Sequence, residues 1–193
     1  MFIKNQLRKQ MKLINDLRKK KIFSDYSGWG NYADTQYTEG SPFVLLADSD
    51  VILPNNSGSI LDKHKPKDVS SFVNVVPDSE SGLGYEHSKI KGRFGEGIAI
   101  TVDCKVKPTN VGTTYIEFWF DITGGTGLPL GLKELYKRPI TFPKGVNIER
   151  PVNFTIIGYT YDTWEANGAD VYVRANGPAE IYDIRYVLTR MSV

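Results

Sequence analysis

The sequence predicts an all-β protein: an antiparallel jelly-roll-type β-sandwich preceded by an N-terminal amphipathic α-helix. The 193 residues include 18 Gly, 10 Pro and 11 Tyr but only three Met, a composition that favours turns and pleated surfaces over long packed helices. Short runs of alternating apolar and polar residues recur between turn-forming residues. Roughly eight to ten strands at this spacing are typical of a sandwich.

The clearest alternation lies in the middle of the chain. Between Gly97 and Val106 every second residue is apolar, starting with Ile98, which predicts a strand with one face in a core. The run from Tyr115 to Ile122 repeats the pattern, so a second strand is expected to face the same core. Further strands are expected at residues 43–47, 51–53, 59–61, 135–142, 152–160, 169–175 and 179–190.

Charge divides the chain into a cationic arm and a mildly acidic body. Of the 24 basic and 22 acidic residues, eight basic residues and one acidic residue fall within residues 1–23. We therefore expect three parts: a basic anchoring helix over residues 1–23, an extended aromatic-rich strap over residues 24–42 and a jelly-roll-type β domain over residues 43–193.

The arm is expected to be helical because it lacks Gly and Pro and repeats apolar residues every three or four positions. This apolar stripe consists of Ile3, Leu7, Met11, Ile14 and Leu17. It predicts docking against another protein, with Lys19, Lys20 and Lys21 as a basic rim. The alternative is a helix folded back on its own domain. Lipid or nucleic-acid binding ranks lower, because only Phe2 and Phe23 could serve as aromatic anchors.

The final strand carries apolar side chains on both faces, so a cover is expected on each. One face holds Tyr182, Ile184, Tyr186 and Leu188. A neighbouring copy would cover this face most simply, because a symmetric contact needs only one surface design. We therefore predict a homo-oligomer with its interface on these residues, and a trimer before other states. The alternative is a central strand covered by its own chain.

No catalytic or metal-binding pattern is recognisable in the sequence. Cys104 alternates inward in an apolar strand, where a thiol packs as a small hydrophobe. His64 and His87 lie in polar loops without a second ligand at metal spacing. Glu117 and Asp121 stand two pleats apart, roughly 13 Å by strand rise, which is too far for a glycosidase pair. We expect no enzymatic activity, no metal and no cofactor.

The sequence contains no long apolar run, which argues against a membrane-spanning protein. Two classes of binding protein remain: a carbohydrate-binding module and a component of an assembly. No stretch reaches the roughly 18 apolar residues of a membrane-spanning helix, so no membrane partner is expected. A carbohydrate-binding module is one alternative, in which Trp29, Trp119 and Trp164 would stack on sugar rings. A free lectin has no use for a cationic helix, so the arm favours a component of an assembly.

Four segments resemble small virion proteins of tailed bacteriophages. They are residues 114–122, 135–138 with 141–145, 161–168 and 178–186. The resemblance covers about residues 24–190 and implies a jelly-roll module, often trimeric, that decorates a capsid or forms a head fibre, with a tail-fibre or receptor-binding module as the close variant. It also implies that the arm attaches to another virion structural protein, such as the major capsid protein, while the β domain faces outward. The implied location is the virion, assembled in the host cytoplasm.

Overall fold

The computed structural model describes residues 28–55, 89–90, 94–95, 97–124, 133–143 and 145–191, apart from the side chains of 28–30 and 190–191. These residues form nine strands and one short helix. The strands are β1 (Gly28–Ala33), β2 (Phe43–Leu45), β3 (Val51–Ile52), β4 (Gly97–Pro108), β5 (Tyr115–Asp121), β6 (Leu135–Thr141), β7 (Arg150–Tyr159), β8 (Asp170–Ala175) and β9 (Ala179–Met191); the helix is α1 (Asp162–Asn167). The helix predicted over residues 1–23 and the strand predicted over 59–61 lie outside the described residues.

The described strands form two antiparallel sheets. One sheet has the order β1-β9-β4-β7, with β2 also pairing with β9, and the other has the order β3-β8-β5-β6. The eight strands from β2 to β9 therefore pair in a nested way: β2 with β9, β3 with β8, β4 with β7 and β5 with β6. Nested pairing of eight strands in two sheets is the jelly-roll arrangement. The predicted antiparallel sandwich is confirmed.

One hydrophobic core lies between the sheets, and the alternating strands supply most of it. Along β4 fully buried residues alternate with half-buried ones, and Ile98, Ile100 and Val102 are inaccessible to solvent. From the other sheet, Phe118 and Phe120 of β5 belong to the same buried cluster. Each such side chain contributes about 1.5–3 kcal/mol by leaving water. This shared burial holds the two sheets together.

The segment predicted as a strap includes a strand of the sandwich. β1 pairs with β9 over six residues, from Gly28 opposite Arg190 to Ala33 opposite Arg185. Tyr32 is buried in the core, and its carbonyl accepts a hydrogen bond of 2.9 Å from Asn55 Nδ2. Residues 28–33 are therefore extended, as predicted, but they belong to the β domain rather than to a separate strap.

A β-bulge in β9 changes which side chains face the core. Two residues of β9, Asp183 and Ile184, stand opposite one residue of β4, Cys104. Asp183 adopts a φ of 53°, in the left-handed region. The extra residue shifts the alternation by one position. Ile181 and Ile184 therefore both face the core, whereas Tyr182 lies on the outer face of the sheet.

The interface predicted on β9 is wrong for the residues that were assigned to it. Tyr182, Ile184, Tyr186 and Leu188 are all fully buried within the single chain. β9 is an inner strand between β1 and β4, so three of these side chains lie between the sheets. Tyr182, on the outer face, is covered by its own chain: its hydroxyl donates to Glu149 and Lys105 lies over its ring. A second copy cannot reach these side chains.

Candidate interaction surface

Neither a metal-ligand cluster of three side chains nor an accessible thiol occurs among the described residues. None of them forms a group of three or more His, Cys, Asp and Glu side chains that could hold a metal ion. Cys104 is buried, and burial, followed by the charge of Asp103, raises the pKa of its thiol. A protonated, inaccessible thiol is inert. His64 and His87 lie outside the described residues. No helix in the described part is long and apolar enough to span a membrane.

Two of the three tryptophans predicted to stack on sugars are buried. Trp119 stacks on Tyr172, with ring centroids 5.6 Å apart, and the Lys137 ammonium lies 5.2 Å from its ring centroid. Trp164 is 2% exposed, and its Nε1 donates a hydrogen bond of 2.9 Å to the Ile90 carbonyl. Neither ring can receive a sugar, so the prediction is wrong for both. The side chain of Trp29 and the whole anchoring arm lie outside the described residues.

Exposed apolar side chains collect instead where β7 ends. Ile157 and Tyr159 project from the outer face of β7, and Tyr161 follows them; each is more than half exposed. The ring of Tyr161 makes an edge-to-face contact with that of Phe94, with centroids 5.8 Å apart. Tyr136 of β6 is also exposed, and its hydroxyl lies beside Gly158, on the opposite face of β7 from Ile157 and Tyr159. The exposed side chains therefore lie around the edge of β7 rather than on one face. We call these five residues, Phe94, Tyr136, Ile157, Tyr159 and Tyr161, the β7 patch.

A glycine brings the Tyr136 ring of one sheet against the edge of the other. A Cβ atom at Gly158 would lie 3.3 Å from the Tyr136 hydroxyl oxygen and 3.2 Å from the Trp164 ring. A larger residue would push one of these rings away, because both distances are shorter than ordinary carbon contacts. Gly158 therefore lets Tyr136 of β6 lie against β7.

Hydrogen bonds to the backbone fix the segments that carry Phe94 and Tyr161. Gly95 donates its N–H to the Thr160 carbonyl at 2.7 Å, and the Phe94 N–H donates to Glu165 Oε1 at 3.1 Å. The Tyr161 carbonyl accepts from the Glu165 N–H at 2.9 Å, in the first turn of α1. The backbone that carries Phe94 and Tyr161 is thus fixed before any partner binds. Such preorganisation lowers the entropy cost of association.

Both strands beside the patch are edge strands that resist extension of the sheet. β7 ends one sheet and β6 ends the other among the described strands. Each contains an exposed proline, Pro139 in β6 and Pro151 in β7. Proline has no N–H to donate, so it disfavours the pairing of a further strand. A partner of the β7 patch is therefore expected to bind through side-chain packing.

A polar cluster covers the outer face at the β9 bulge. The Tyr182 hydroxyl donates to Glu149 Oε2 at 2.7 Å, and Lys105 Nζ lies 3.4 Å from Glu149 and 3.2 Å from Asp183. The hydrogen bond from Tyr182, with help from Lys105, lowers the pKa of Glu149. Burial, followed by Glu149, raises the pKa of Tyr182. At neutral pH the phenol therefore stays protonated and donates to an ionised carboxylate.

The chain matches no protein-family model and no curated protein sequence. Solved structures with a similar chain course include the PRD1 vertex protein P5, with a TM-score of 0.41 and 10% identity over 88% of this chain and 73% of that one. The globular domain of zebrafish complement 1qA protein has a TM-score of 0.42 and 6% identity, over 86% of this chain and 97% of that one. Eiger TNF from S. frugiperda has a TM-score of 0.44 and 7% identity, over 86% of this chain and 94% of that one. The fold class itself rests on the strand order described above.

Proposed function

We propose that the protein is a structural component of a virion: a homotrimer of jelly-roll domains, fastened to the particle by the basic arm as a capsid decoration or a head-fibre-like component. The strand order supports this proposal, because viral coat proteins are among the main users of the jelly roll. The sequence supports it through the resemblance to virion proteins and through a cationic arm joined to an acidic body. Such an arm suits attachment to an acidic protein surface.

The β7 patch is the observation that carries the assembly part of the proposal. Monomeric proteins rarely expose extended apolar patches, and those that do commonly use them as contact surfaces. The patch replaces the interface that the sequence had predicted on β9. A ring of three copies would let the patch of each copy bind the side of the next and leave none exposed. No catalytic role is proposed for any described residue.

The interface is tested by replacing Ile157 and Tyr159 with Asp. Charges on this face would have to be buried in the trimer but stay in water in the monomer. We expect sedimentation of the full chain to show three copies for the wild type and one for the double variant. Val111→Asp is the matched control, because Val111 is equally exposed but precedes β5 at the opposite end of the sandwich. A double variant that keeps the wild-type mass would overturn this interface.

Attachment through the arm is tested separately, on particles. Burying a Leu or Ile side chain contributes about 1.5–3 kcal/mol, whereas an exposed ion pair contributes about 0.2–1 kcal/mol. Replacing Leu7 and Ile14 with Asp should therefore release the protein from particles. Replacing Lys19 and Lys20 with Gln should weaken attachment mainly at low salt. Release by the lysine changes alone would make the arm an electrostatic tether to an anionic surface.

A receptor-binding or carbohydrate-binding module is the second candidate, and the composition of the β7 patch favours it. Four of the five patch residues are aromatic, and exposed rings can stack on sugars as well as on protein. In this case the patch would stay open in the assembled protein. Tyr136→Ala would then abolish binding to a glycan array without changing the number of chains. Loss of the trimer in that variant would instead support the interface.

A further inference from the structure

Two buried aspartates face each other at the end of the β5–β8 ladder. Asp121 and Asp170 are direct partners in the register, and they are 1% and 4% exposed. Direct partners in an antiparallel pair have Cα atoms about 4.5–5.5 Å apart and side chains on the same face. Like charges placed opposite each other are destabilising, and burial removes the water that would screen them.

The two carboxylates differ in their partners. Lys89 Nζ lies 3.4 Å from Asp170 Oδ2. Asp121 Oδ1 accepts hydrogen bonds from the backbone N–H of Thr123 at 2.7 Å and from its hydroxyl at 2.6 Å. Asp121 Oδ2 is buried and has no hydrogen-bond partner. Within the described part of the chain, no lysine or arginine lies within ion-pair distance of Asp121.

A buried carboxylate oxygen without a partner is costly and needs an explanation. Both hydrogen bonds to Asp121 hold Oδ1 towards Thr123, which leaves Oδ2 on the other side of the carboxylate. Asp170 is the direct cross-strand partner of Asp121, on the same face of the sheet. A positive ion between the two side chains would satisfy Oδ2 and remove the repulsion.

We propose that Asp121 and Asp170 bind a hard divalent cation, with Asp121 Oδ2 and a carboxylate oxygen of Asp170 as the protein ligands. Ca²⁺ and Mg²⁺ both prefer carboxylate oxygen, and Mg²⁺ is commonly held by one or two carboxylates and several waters. The cation would join the end of β5 to the start of β8. Asn167 of α1 donates a hydrogen bond of 3.1 Å to the Ile122 carbonyl, just after β5. A bound cation would add a second link at this end of the sandwich and would stabilise it.

The test uses the full chain, stripped of metal with a chelator and then titrated with CaCl₂ or MgCl₂. A free cation concentration of about 100 times the Kd should raise the melting temperature by about 5–10 °C for a chain of this size. Asp121→Asn should lose this rise. The same variant without metal should be at least as stable as the stripped wild type, because one of the two opposed charges is gone. Asp162→Asn is the matched control, since Asp162 is an exposed carboxylate in α1.

Two results would overturn the cation site. One is a stripped wild type whose melting temperature responds to neither cation. The other is a rise of the same size in the wild type and in Asp121→Asn. Calorimetric titration of the wild type gives an answer that needs no variant: one cation per chain is expected, and no saturable heat with either salt would contradict the proposal.

Discussion

Trp164 shows that the role of a residue depends on neighbours that are distant in the sequence. Its indole N–H donates to Ile90, 74 residues away, and its ring lies against Gly158. Trp119 is likewise covered by Lys137 and Tyr172 from the two neighbouring strands. The sequence could place Trp119 on the outer face of its strand, but the cover depends on strand pairing that the sequence does not reveal.

Replacing Trp164 should therefore affect stability rather than binding. Trp164→Ala should lower the free energy of unfolding by about 3–5 kcal/mol, as for other buried aromatic truncations. Trp164→Phe fills much of the space and leaves the Ile90 carbonyl with one donor, the Ala169 N–H, instead of two, at a smaller cost of about 0.5–1.5 kcal/mol. Urea unfolding measures both. Tyr161→Ala, at an exposed ring, should change stability far less; an equal loss there would contradict the assignment.

Cys104 should be unreactive in the folded protein. Burial keeps its thiol protonated and out of contact with reagent, and raises the thiol pKa. A chromogenic disulfide reagent at mildly alkaline pH should label no thiol in the native chain and one thiol per chain in denaturant. Rapid labelling of the native protein would show that the β4–β9 region opens readily or that Cys104 is more accessible than the structure indicates.

Glu149 should make a small contribution to the stability lost in acid. The pKa of Glu149 is lowered in the folded protein, chiefly by the hydrogen bond from the Tyr182 hydroxyl. The resulting stabilisation is therefore present above the unfolded-state pKa of 4.5 and is lost as the pH falls through the folded-state pKa. We expect the melting temperature of Glu149→Gln to fall less than that of the wild type as pH is lowered through this range. Parallel acid profiles for the two proteins would exclude this coupling.

At the scale of the element, β9 shows what alternation can and cannot predict. The strand was predictable from residues 179–190, but strict alternation assigns its faces wrongly, because the bulge at Asp183 reverses the alternation. The signal was present in the sequence: Ile181 and Tyr182 are adjacent apolar residues, and the regular pattern resumes at Ile184. A bulge that shifts the alternation accounts for this pair better than an apolar strand with two equivalent faces.

The left-handed conformation at the bulge predicts a specific pattern of tolerance. Asp183 has a φ of 53°, which costs a β-branched residue about 1–2 kcal/mol. Asp183→Val should therefore be less stable than Asp183→Gly by about that amount in chemical denaturation. Both variants lose the ion pair with Lys105, so the difference between them does not include that contact. Equal stability of the two would mean that the bulge relaxes without cost.

Other elements differed in how far they could be predicted. β4 and β5 followed from alternation because one face of each lies in the core. β1 was predicted as extended but not as a strand, because Gly28 and Gly30 interrupt its apolar pattern. α1 has only six residues, too few for a helical period to show. The β7 patch combines residues from three parts of the chain, which sequence spacing could not bring together.

For the whole molecule, the described surfaces separate two roles. Ile184, Tyr186 and Leu188 of β9 are buried within the chain, so the proposed trimer uses the exposed end of β7 and the neighbouring edge of β6 instead. The basic arm, outside the described residues, remains available in the proposal for attachment to the particle. Trimer contact and particle contact would then use different parts of the chain, and variants in one should leave the other intact.

The mass of the protein in solution tests the central claim most directly. Sedimentation equilibrium of the wild type at micromolar concentration should give three times the chain mass of 21.7 kDa, and this value should persist on dilution. A trimer that buries the β7 patch would show this behaviour. A mass of one chain throughout the concentration range would contradict the assembly, and with it the interface proposed on β7.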